Sequence, residues 1–375
     1  MRLIHVYNLE LRGVVDPPPY AILSHRWTNK ELSYQAYHGC INQDSPTSRK
    51  VLNFCKAIRA ANTTRQDGEP LLEWAWVDTC CIDKASSSEL SEAINSMWSW
   101  YEKSASCYAY LVDVPWCENR AELLANFRES NWFRRGWTLQ ELLAPKKVIF
   151  YTSDWQIIGF SPGSNLQDVE MLEALCTASG IDLPYISHAQ SIFSACVAEK
   201  MSWASGRTTT RSEDTAYCLL GIFGVHMPLL YGEGEDAFIR LQQEIIRQSN
   251  DESIFARRLP ASGKSHFTQS FAQGARSGLL ACHPAEFAGC ANIRVVDRVP
   301  RRPFQVTQKG LDLHGPAVEI ESCYNDRGSR FTRRRVPHRI ELCIFAGPQS
   351  GRLRDASKAE TGGRLLAGLA RDRTQ

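Results

Sequence analysis

The 375-residue sequence predicts an α/β protein: a parallel sheet with flanking helices and a helical extension, followed by a β-rich C-terminal segment. Three observations indicate this class. Over about residues 20–155, short apolar segments with strand character alternate with segments of helical periodicity. Over about residues 156–255 the pattern is mainly helical. From residue 256 onward, Gly, Ser and Pro separate short apolar segments, as they do in β-rich domains. Because strands that alternate with helices usually pair in parallel, we expect helices on both faces of the sheet.

Each element is predicted from a local pattern. Short apolar runs predict the four strands of the sheet at Tyr20–Ser24, Glu73–Asp78, Cys107–Val114 and Lys147–Tyr151. Apolar residues at helical spacing predict helices at Thr47–Ala61, Ser86–Tyr101, Ser191–Ser205, Ser212–Phe223 and from near Gly234 onward. Ser86 and Glu89 have the spacing of a capping box, and Gly224 indicates the end of a helix.

These elements predict three regions. They are an N-terminal lead over residues 1–19, a domain over residues 20–255 and a β-rich downstream region over residues 256–375. Within the domain, the α/β core covers about residues 20–155 and the helical part about residues 156–255. The last twenty or so residues show no clear core pattern, as in an incomplete domain.

Composition excludes several classes of protein. With 43% hydrophobic and 22% charged residues the chain is an ordinary globular protein, and no apolar run approaches membrane-spanning length. Its 13 cysteines include no C-x-x-C pair, and the N-terminus lacks a signal-peptide pattern. We therefore expect a reduced, cytoplasmic protein without a disulfide framework or a membrane span.

The distribution of charge is uneven. Residues 251–375 carry 21 Lys and Arg against 12 Asp and Glu, although the net charge of the chain is only +2. This basic excess is diffuse apart from Arg333–Arg335 and lacks interleaved aromatic residues. A solvated, Arg-rich face accounts for it, so we predict no specific nucleic-acid binding.

Glu141 is the first candidate for a functional carboxylate. It lies on a short predicted helix that follows the strand CYAYLVDV and the Trp-rich turn SNWFRRGW. Open α/β sheets keep their sites at the carboxyl ends of their strands. The alternative is that Glu141 pairs with Arg134 or Arg135, or only stabilises its helix.

Five segments resemble, in order, the fungal heterokaryon-incompatibility (HET) domain. They are AILSHRW (Ala21–Trp27), WVDTCCIDK (Trp76–Lys84), SSSELSEAINSMWSWY (Ser86–Tyr101), WFRRGWTLQELLAP (Trp132–Pro145) and RSEDTAYCLLGIFGVHMPLLYGEGEDAFIRLQQEII (Arg211–Ile246). The resemblance implies self/non-self recognition in filamentous fungi, a form of innate immunity in which activation ends in regulated cell death.

The HET domain in turn is similar to the TIR domain, which implies a TIR-like, flavodoxin-like sheet. The strand AILSHRW lies where TIR domains have a strand that ends in a Ser-Phe-Arg-Gly type loop. Ser24 and Arg26 take the Ser and Arg positions of that loop, whereas His25 replaces its aromatic residue and Trp27 its glycine. The resemblance implies that this loop contributes to a nucleotide site.

The segment WTLQEL resembles the TIR motif Ser-x-Trp-Cys-x-x-Glu-Leu. Trp137 takes the Trp position, Glu141 the Glu and Leu142 the Leu, with one additional residue between Trp and Glu. The Glu is catalytic in the TIR domains that cleave NAD. The resemblance therefore implies a catalytic Glu141, with NAD as a substrate and with no prosthetic group.

The residue types suit that chemistry. Cleavage of the nicotinamide–ribose bond produces an oxocarbenium-like sugar, which a carboxylate at Glu141 would stabilise while Trp137 stacks on the ring. Arg26 would hold a phosphate through its planar fork, and His25 would titrate near neutrality. The alternative is a loop locked by Trp27, with Arg26 paired to an aspartate.

Asp78 and Asp83 flank the pair Cys80-Cys81 after the second strand. Zinc sites use separated ligand pairs, so we predict no metal site here. A Cys–His nucleophile formed with His25 has no local signature to support it. Asp78 or Asp83 is expected either to fix the loop or to contact the ribose.

Two functions follow from the sequence. The first is an incompatibility effector that triggers cell death through TIR-like NAD glycohydrolysis and self-associates on activation. The alternative is a non-enzymatic signalling module that acts by self-assembly and recruits partners through exposed tryptophans. The sequence does not identify an upstream receptor or partner.

Overall fold

The structure is a computed structural model that describes residues 1–28, 31–38, 45–161, 168–257, 280–293, 304–307 and 310–313. The described residues form two compact units. The first unit comprises Met1–Ser194 and Arg207–Gly234, and the second comprises Ala195–Gly206 and the described residues from Glu235 onward. The chain therefore leaves the first unit after residue 194, returns at residue 207, and leaves it again after residue 234.

The first unit is built on a seven-stranded sheet with the order β2-β1-β4-β3-β5-β6-β7. Its strands are β1 (Arg2–His5), β2 (Leu11–Gly13), β3 (Tyr20–His25), β4 (Trp74–Trp76), β5 (Ser106–Tyr110), β6 (Val148–Tyr151) and β7 (Ile157–Phe160). The four predicted strands correspond to β3, β4, β5 and β6, which pair in parallel in the order β4-β3-β5-β6.

The prediction of a parallel sheet is wrong at both edges, because the sheet is mixed. Strand β1 pairs antiparallel with β2 and with β4, and β7 pairs antiparallel with β6. The residues expected to form an N-terminal lead thus contribute two strands to the sheet. These strands have only three or four residues each, which is too short to show the apolar runs that predict the central strands.

Eleven α-helices are present among the described residues. They are α1 (Tyr34–His38), α2 (Pro46–Thr63), α3 (Ser87–Lys103), α4 (Arg120–Glu129), α5 (Thr138–Leu143), α6 (Val169–Ser179), α7 (Leu183–Ile186), α8 (Val197–Ala204), α9 (Asp214–Tyr217), α10 (Leu220–Phe223) and α11 (Asp236–Gln248). Short 3-10 helices cover Asn131–Arg134, Ile192–Ser194, Glu252–Phe255 and Pro284–Phe287.

Helices α2 and α3 lie on opposite faces of the sheet. Phe54 of α2 contacts Tyr108 of β5 edge to face, with ring centroids 5.2 Å apart. On the other face, Tyr101 of α3 packs against Trp76 of β4 and donates a hydrogen bond to the carbonyl of Leu23 in β3. Since successive strand residues point to opposite faces, Ser24 faces the α3 side and His25 the α2 side. The expectation of helices on both faces is confirmed.

The capping of α3 differs from the predicted box. The hydroxyl of Ser86 accepts a hydrogen bond from the backbone N–H of Glu89, as in a capping box. The Glu89 carboxylate, however, accepts from the backbone N–H of Asp83 and pairs with Arg2 of β1. This side chain therefore connects the loop before α3 to strand β1 instead of closing the box.

The helical part is more broken than its periodicity predicts. The predicted helix Ser191–Ser205 is a 3-10 turn followed by α8, and the predicted helix Ser212–Phe223 is divided into α9 and α10. Helix α10 does end at Gly224, which takes a left-handed conformation with φ 65°.

The second unit contains α8, α11 and the antiparallel hairpin β8 (Phe304–Thr307) and β9 (Gly310–Leu313). The hairpin lies in the region predicted to be β-rich. Two of the short apolar segments of that region, AVEIESC (317–323) and RIELCIF (339–345), lie outside the described residues. Among the helices that the structure describes, none has the length and apolarity that crossing a membrane requires.

Candidate functional site

The structure brings Glu141 and Ser24 together at the carboxyl edge of the parallel strands. The hydroxyl of Ser24, the penultimate residue of β3, donates a hydrogen bond to Glu141 Oε2. The indole Nε1 of Trp132 donates to Ser24 Oγ over 2.9 Å. All three side chains are buried, and Glu141 retains 8% exposure. A carboxyl group, a hydroxyl and an indole thus form one hydrogen-bonded chain on the α3 side of β3.

Burial controls the acidity of Glu141. It raises the pKa of this carboxyl group to about 7, against the opposing effects of the Arg135 charge and the hydrogen bond from Ser24. Asp78 adds a smaller repulsion that acts in the same direction as burial. At neutral pH the group therefore exchanges between its acid and carboxylate forms, as functional carboxyl groups in low-dielectric sites do.

The turn before α5 fixes the position of Glu141. The backbone N–H of Gly136 donates to the carbonyl of Thr208 over 2.9 Å. The buried guanidinium of Arg207 donates from Nη1 to the carbonyl of Arg135 and to Thr138 Oγ1, both at 3.0 Å. The segment that begins at Arg207 therefore holds the start of the helix that carries Glu141.

A charged network occupies the α2 side of β3. His25 is buried, and its Nε2 lies 3.6 Å from Glu31 Oε2 and 3.8 Å from Asp78 Oδ1. Lys50, on α2, donates from Nζ to Glu31 Oε1 over 2.5 Å. Sequence reasoning missed Glu31 and Lys50, because one lies in a loop and the other resembles an ordinary polar position on an amphipathic helix.

The acidities in this network shift opposite to that of Glu141. Burial alone would raise the pKa of Glu31, but the adjacent His25 and Lys50 outweigh it and hold that pKa well below its usual value. Burial of Asp78 is likewise outweighed, chiefly by Lys84, so its pKa is lowered. Burial lowers the pKa of His25, and the Lys50 charge lowers it further. His25 is therefore neutral at physiological pH, because its pKa lies below the near-neutral value expected for a histidine.

Trp27, Asp78, Lys84 and Arg135 meet where the network reaches the surface. The indole Nε1 of Trp27 donates to Asp78 Oδ2 over 2.7 Å. Lys84 Nζ lies 3.5 Å from the centroid of the Trp27 rings, and Arg135 Cζ lies 5.1 Å from it. Arg135 also donates from Nη1 to the carbonyl of His25 over 3.0 Å. We call these four residues the Trp27 cluster.

Arg26, which the resemblance assigns to a phosphate, is exposed. The guanidinium whose charge acts on Asp78 and Glu141 belongs to Arg135. The side chain of Trp27, the residue after Arg26, donates a hydrogen bond to Asp78. The signal that could have identified Arg135 is its position in WFRRGW, immediately before the turn that begins α5.

Asp83 and Trp137 lie away from the Ser24–Glu141 hydrogen bond. Asp83 accepts hydrogen bonds from Gln35 Nε2 at 2.7 Å and from the backbone N–H of Ala85 at 3.0 Å. Trp137, the residue before α5, hydrogen-bonds to the carboxylate of Asp214. Trp132, rather than Trp137, supplies the indole that reaches Ser24.

Comparison with known proteins identifies the domain. Residues 20–115 match the family model described as heterokaryon incompatibility protein (HET). The chain contains a HET domain. Over 238 residues it is 42% identical to the vegetative incompatibility protein HET-E-1 of Podospora anserina. That alignment covers 61% of this chain and 16% of HET-E-1, so the chain spans less than a fifth of the relative's length. The search of solved structures gave no significant match for this HET domain.

The family match confirms the resemblance drawn from the sequence segments at the level of the HET domain. It begins at Tyr20, the first residue of β3, and ends at residue 115, between β5 and α4. Ser24, His25, Trp27 and Asp78 therefore lie within the matched part of the HET domain. Glu141 lies beyond it, and is connected to it by the hydrogen bond from Ser24.

Proposed function

We propose that this HET domain acts in heterokaryon incompatibility, in the cytoplasm, as an effector that triggers cell death by hydrolysing NAD at Glu141. The observation that carries the catalytic part is a buried carboxyl group, with a pKa raised to about 7, hydrogen-bonded to Ser24 at the carboxyl edge of parallel strands. Sites of open α/β sheets lie at this edge. The biological part draws on the relative HET-E-1, which is named a vegetative incompatibility protein.

The strand order supports a TIR-like core. Counted by themselves in chain order, the four parallel strands β3, β4, β5 and β6 are arranged 2-1-3-4. Flavodoxin-like sheets have the order 2-1-3-4-5 and bind their nucleotide where the order reverses, between strands 1 and 3. The strands at the reversal are here β3 and β5, and Ser24 lies in β3.

The proposed reaction needs one carboxylate. The bond between ribose C1′ and the nicotinamide nitrogen breaks, nicotinamide leaves as a neutral pyridine with the electron pair, and water adds to C1′. The products are nicotinamide, ADP-ribose and one proton. Ionised Glu141 stabilises the positive charge that develops on the sugar. Because the pyridinium leaves without being protonated, no general acid is required. Since Glu141 is hydrogen-bonded to Ser24, a ribose hydroxyl would take the place of the Ser24 donor.

The test measures NAD in cells that express the chain and nicotinamide release by the purified protein. Wild type is compared with Glu141→Gln and with Glu129→Gln, which alters an exposed carboxylate that pairs with Arg134. We expect NAD loss and cell death for wild type and Glu129→Gln and neither for Glu141→Gln. The rate of nicotinamide release should rise with pH through about 7, as Glu141 ionises. Cell death with unchanged NAD would reject the hydrolase.

A second candidate function is a non-enzymatic module that assembles or recruits partners. Exposed apolar side chains on the edge strand β7 favour it: Ile157 and Phe160 are 46% and 48% exposed. Exposed apolar groups on an unpaired sheet edge suit docking of another chain. Under this function, Ile157→Lys with Phe160→Lys abolishes cell death, whereas Glu141→Gln leaves it intact. Under NAD hydrolysis Glu141→Gln abolishes it, so the two variants distinguish the functions.

A further inference from the structure

The Trp27 cluster fixes two cations beside one aromatic ring. Trp27 is 45% exposed, and the hydrogen bond to Asp78 holds its indole in place. Lys84 and Arg135 both contact the ring face at distances typical of cation–π interactions. The positive charges of Lys84 and Arg135 repel each other; burial lowers the pKa of Lys84, and the Arg135 charge lowers it further. Such an arrangement needs a negative charge to balance it.

The neighbouring carboxylates do not supply that balance in full. Asp78 is the carboxylate that acts most strongly on Lys84, and Glu31 acts on it more weakly. Glu31 is itself paired with Lys50 at 2.5 Å. His25 is neutral, and Glu141 is only partly ionised near pH 7. Lys84 and Arg135 thus carry two positive charges against the single charge of Asp78 and the partial charge of Glu141, which leaves a net positive charge of less than one at the mouth of the site.

The donor geometry suits a phosphate. The guanidinium of Arg135 has five N–H donors, and its bond to the His25 carbonyl uses one of them. A guanidinium fork matches the oxygens of a phosphate group in pairs, and an ammonium adds a point charge with three donors. The exposed Trp27 indole beside them offers a flat surface of the kind on which nucleobases stack.

We propose that Lys84 and Arg135, beside Trp27, form an anion site that binds the diphosphate of a nucleotide. The identity of that nucleotide as NAD rests on the proposed function, whereas the anion site itself rests on the Trp27 cluster. Arg135 connects the two, because its guanidinium acts on Glu141 and its backbone carbonyl is held by Arg207. The site assigns the phosphate contact to Arg135 and Lys84 in place of Arg26.

Calorimetric titration of the purified full chain tests the site, with ADP-ribose and inorganic pyrophosphate as probes at fixed ionic strength. ADP-ribose keeps the diphosphate and is not cleaved further in the proposed reaction. Lys84→Gln and Arg135→Gln are expected to weaken binding of both probes by about 10- to 100-fold, the range for loss of a charged hydrogen bond. Arg134→Gln is the matched control. It removes the adjacent, exposed arginine, which pairs with Glu129, and should bind as wild type does.

The outcomes separate this site from the hydrolase. If wild type binds neither probe, or if both variants bind like wild type, the anion site is rejected. Because Arg135→Gln also removes the bond to the His25 carbonyl, thermal melting checks its fold, and Lys84→Gln tests the site independently on a side chain without that bond. If ADP-ribose binding depends on Lys84 while no nicotinamide is released from NAD, the anion site stands and the hydrolase fails. If NAD is cleaved with a KM that Lys84→Gln does not change, the hydrolase stands and the anion site fails.

Discussion

Ser24 and His25 are consecutive residues of β3, yet their side chains enter two different electrostatic environments. Ser24 points to the α3 side, where it meets Glu141 and Trp132 in a buried, hydrogen-bonded group. His25 points to the α2 side, where Glu31 and Lys50 form an ion pair beside it. On the α3 side the pKa of the Glu141 carboxyl group is raised, whereas on the α2 side the pKa of the Glu31 carboxyl group is lowered.

The two carboxyl groups, Glu31 and Glu141, differ in their ionisation at neutral pH. Glu31, whose pKa is held well below its usual value, is ionised at neutral pH and neutralises the partly buried ammonium of Lys50. Burial raises the pKa of Glu141 to about 7, against the opposing effects of the Arg135 charge and the hydroxyls of Ser24 and Tyr101, so the group gains or loses a proton near neutral pH. Pairs of carboxyl groups whose environments separate their pKa values commonly divide structural and chemical roles in this way. The four predictions below test the contrast, beginning with the largest expected effect.

Glu31→Gln should destabilise the protein by about 3–5 kcal/mol, because it leaves the ammonium of Lys50 partly buried without its partner. The measurement is the free energy of unfolding in urea at pH 7. Glu129→Gln, at an exposed ion pair, is the control and should change it by less than about 1 kcal/mol. Equal effects of the two substitutions would remove the contrast on the α2 side.

Glu141→Gln should stabilise the protein by about 2–3 kcal/mol at pH 8 and by little at pH 4. The folded pKa of Glu141, about 7, lies above its unfolded value, so the folded state binds the proton more tightly. Stability from this group is therefore present below pH 4.5 and is lost as pH rises toward 7 and above.

The measurement is the difference in unfolding free energy between Glu141→Gln and wild type as a function of pH, which removes the contributions of His25 and Glu31. A difference that does not increase between pH 4 and pH 8 would contradict the raised pKa. A difference that increases with falling pH would place Glu141 in the same class as Glu31.

Gly136→Ala should lower the free energy of unfolding by about 1–3 kcal/mol, because an added Cβ would lie 2.6 Å from Thr209 Cγ2 and 3.0 Å from Cys218 Sγ. The strain falls on the turn between Arg135, which faces the His25 side, and Glu141, which faces the Ser24 side. Thermal melting measures it. Gly13→Ala, on β2, is the control because a Cβ there meets nothing within 4 Å among the described residues. A similar loss at Gly13 would show that the turn is not specially constrained.

The smallest effect should be the coupling between Trp132 and Ser24, about 1 kcal/mol for the hydrogen bond from Nε1 to Oγ; Trp132→Phe by itself also loses the packing of a buried indole. A double-mutant cycle with Ser24→Ala isolates this bond, because the cost of Trp132→Phe should fall once the hydroxyl is absent. Additive losses would mean that the indole stabilises the fold through packing alone and not through the Ser24–Glu141 group.

The sequence predicts the centre of the sheet well and its margins poorly. The strands β3 to β6 are apolar runs, and burial is a local signal that a sequence displays directly. Strands β1, β2 and β7 are too short to show a clear apolar run; β2 and β7 pair with the neighbouring strands β1 and β6, and only β1 also pairs with a strand distant in sequence, β4. Likewise, the helical periodicity over 212–223 does not reveal the interruption between α9 and α10.

The candidate site shows the same division. The proximity of Ser24 and Glu141 could be predicted from the sequence, because the carboxyl ends of parallel strands and the helices that follow them lie at the same edge of the sheet. The positions of Glu31 and Lys50 could not, because nothing local distinguishes a surface charge from one that folding places beside His25; the sequence indicates Arg135 only as one of two arginines that could pair with Glu141. Arg26 and Arg135 differ only in what the folded chain puts next to each of them.

The excursion of the chain into the second unit over 195–206 has a practical consequence for dissection of this protein. A fragment that stops at Ser194 retains every strand of the seven-stranded sheet but loses Arg207 and Thr208. Such a fragment would lack the two residues that fasten Arg135, Gly136 and Thr138. Any change in behaviour on shortening the chain there could therefore arise from loosening of the helix that carries Glu141, and would not by itself demonstrate a requirement for the second unit.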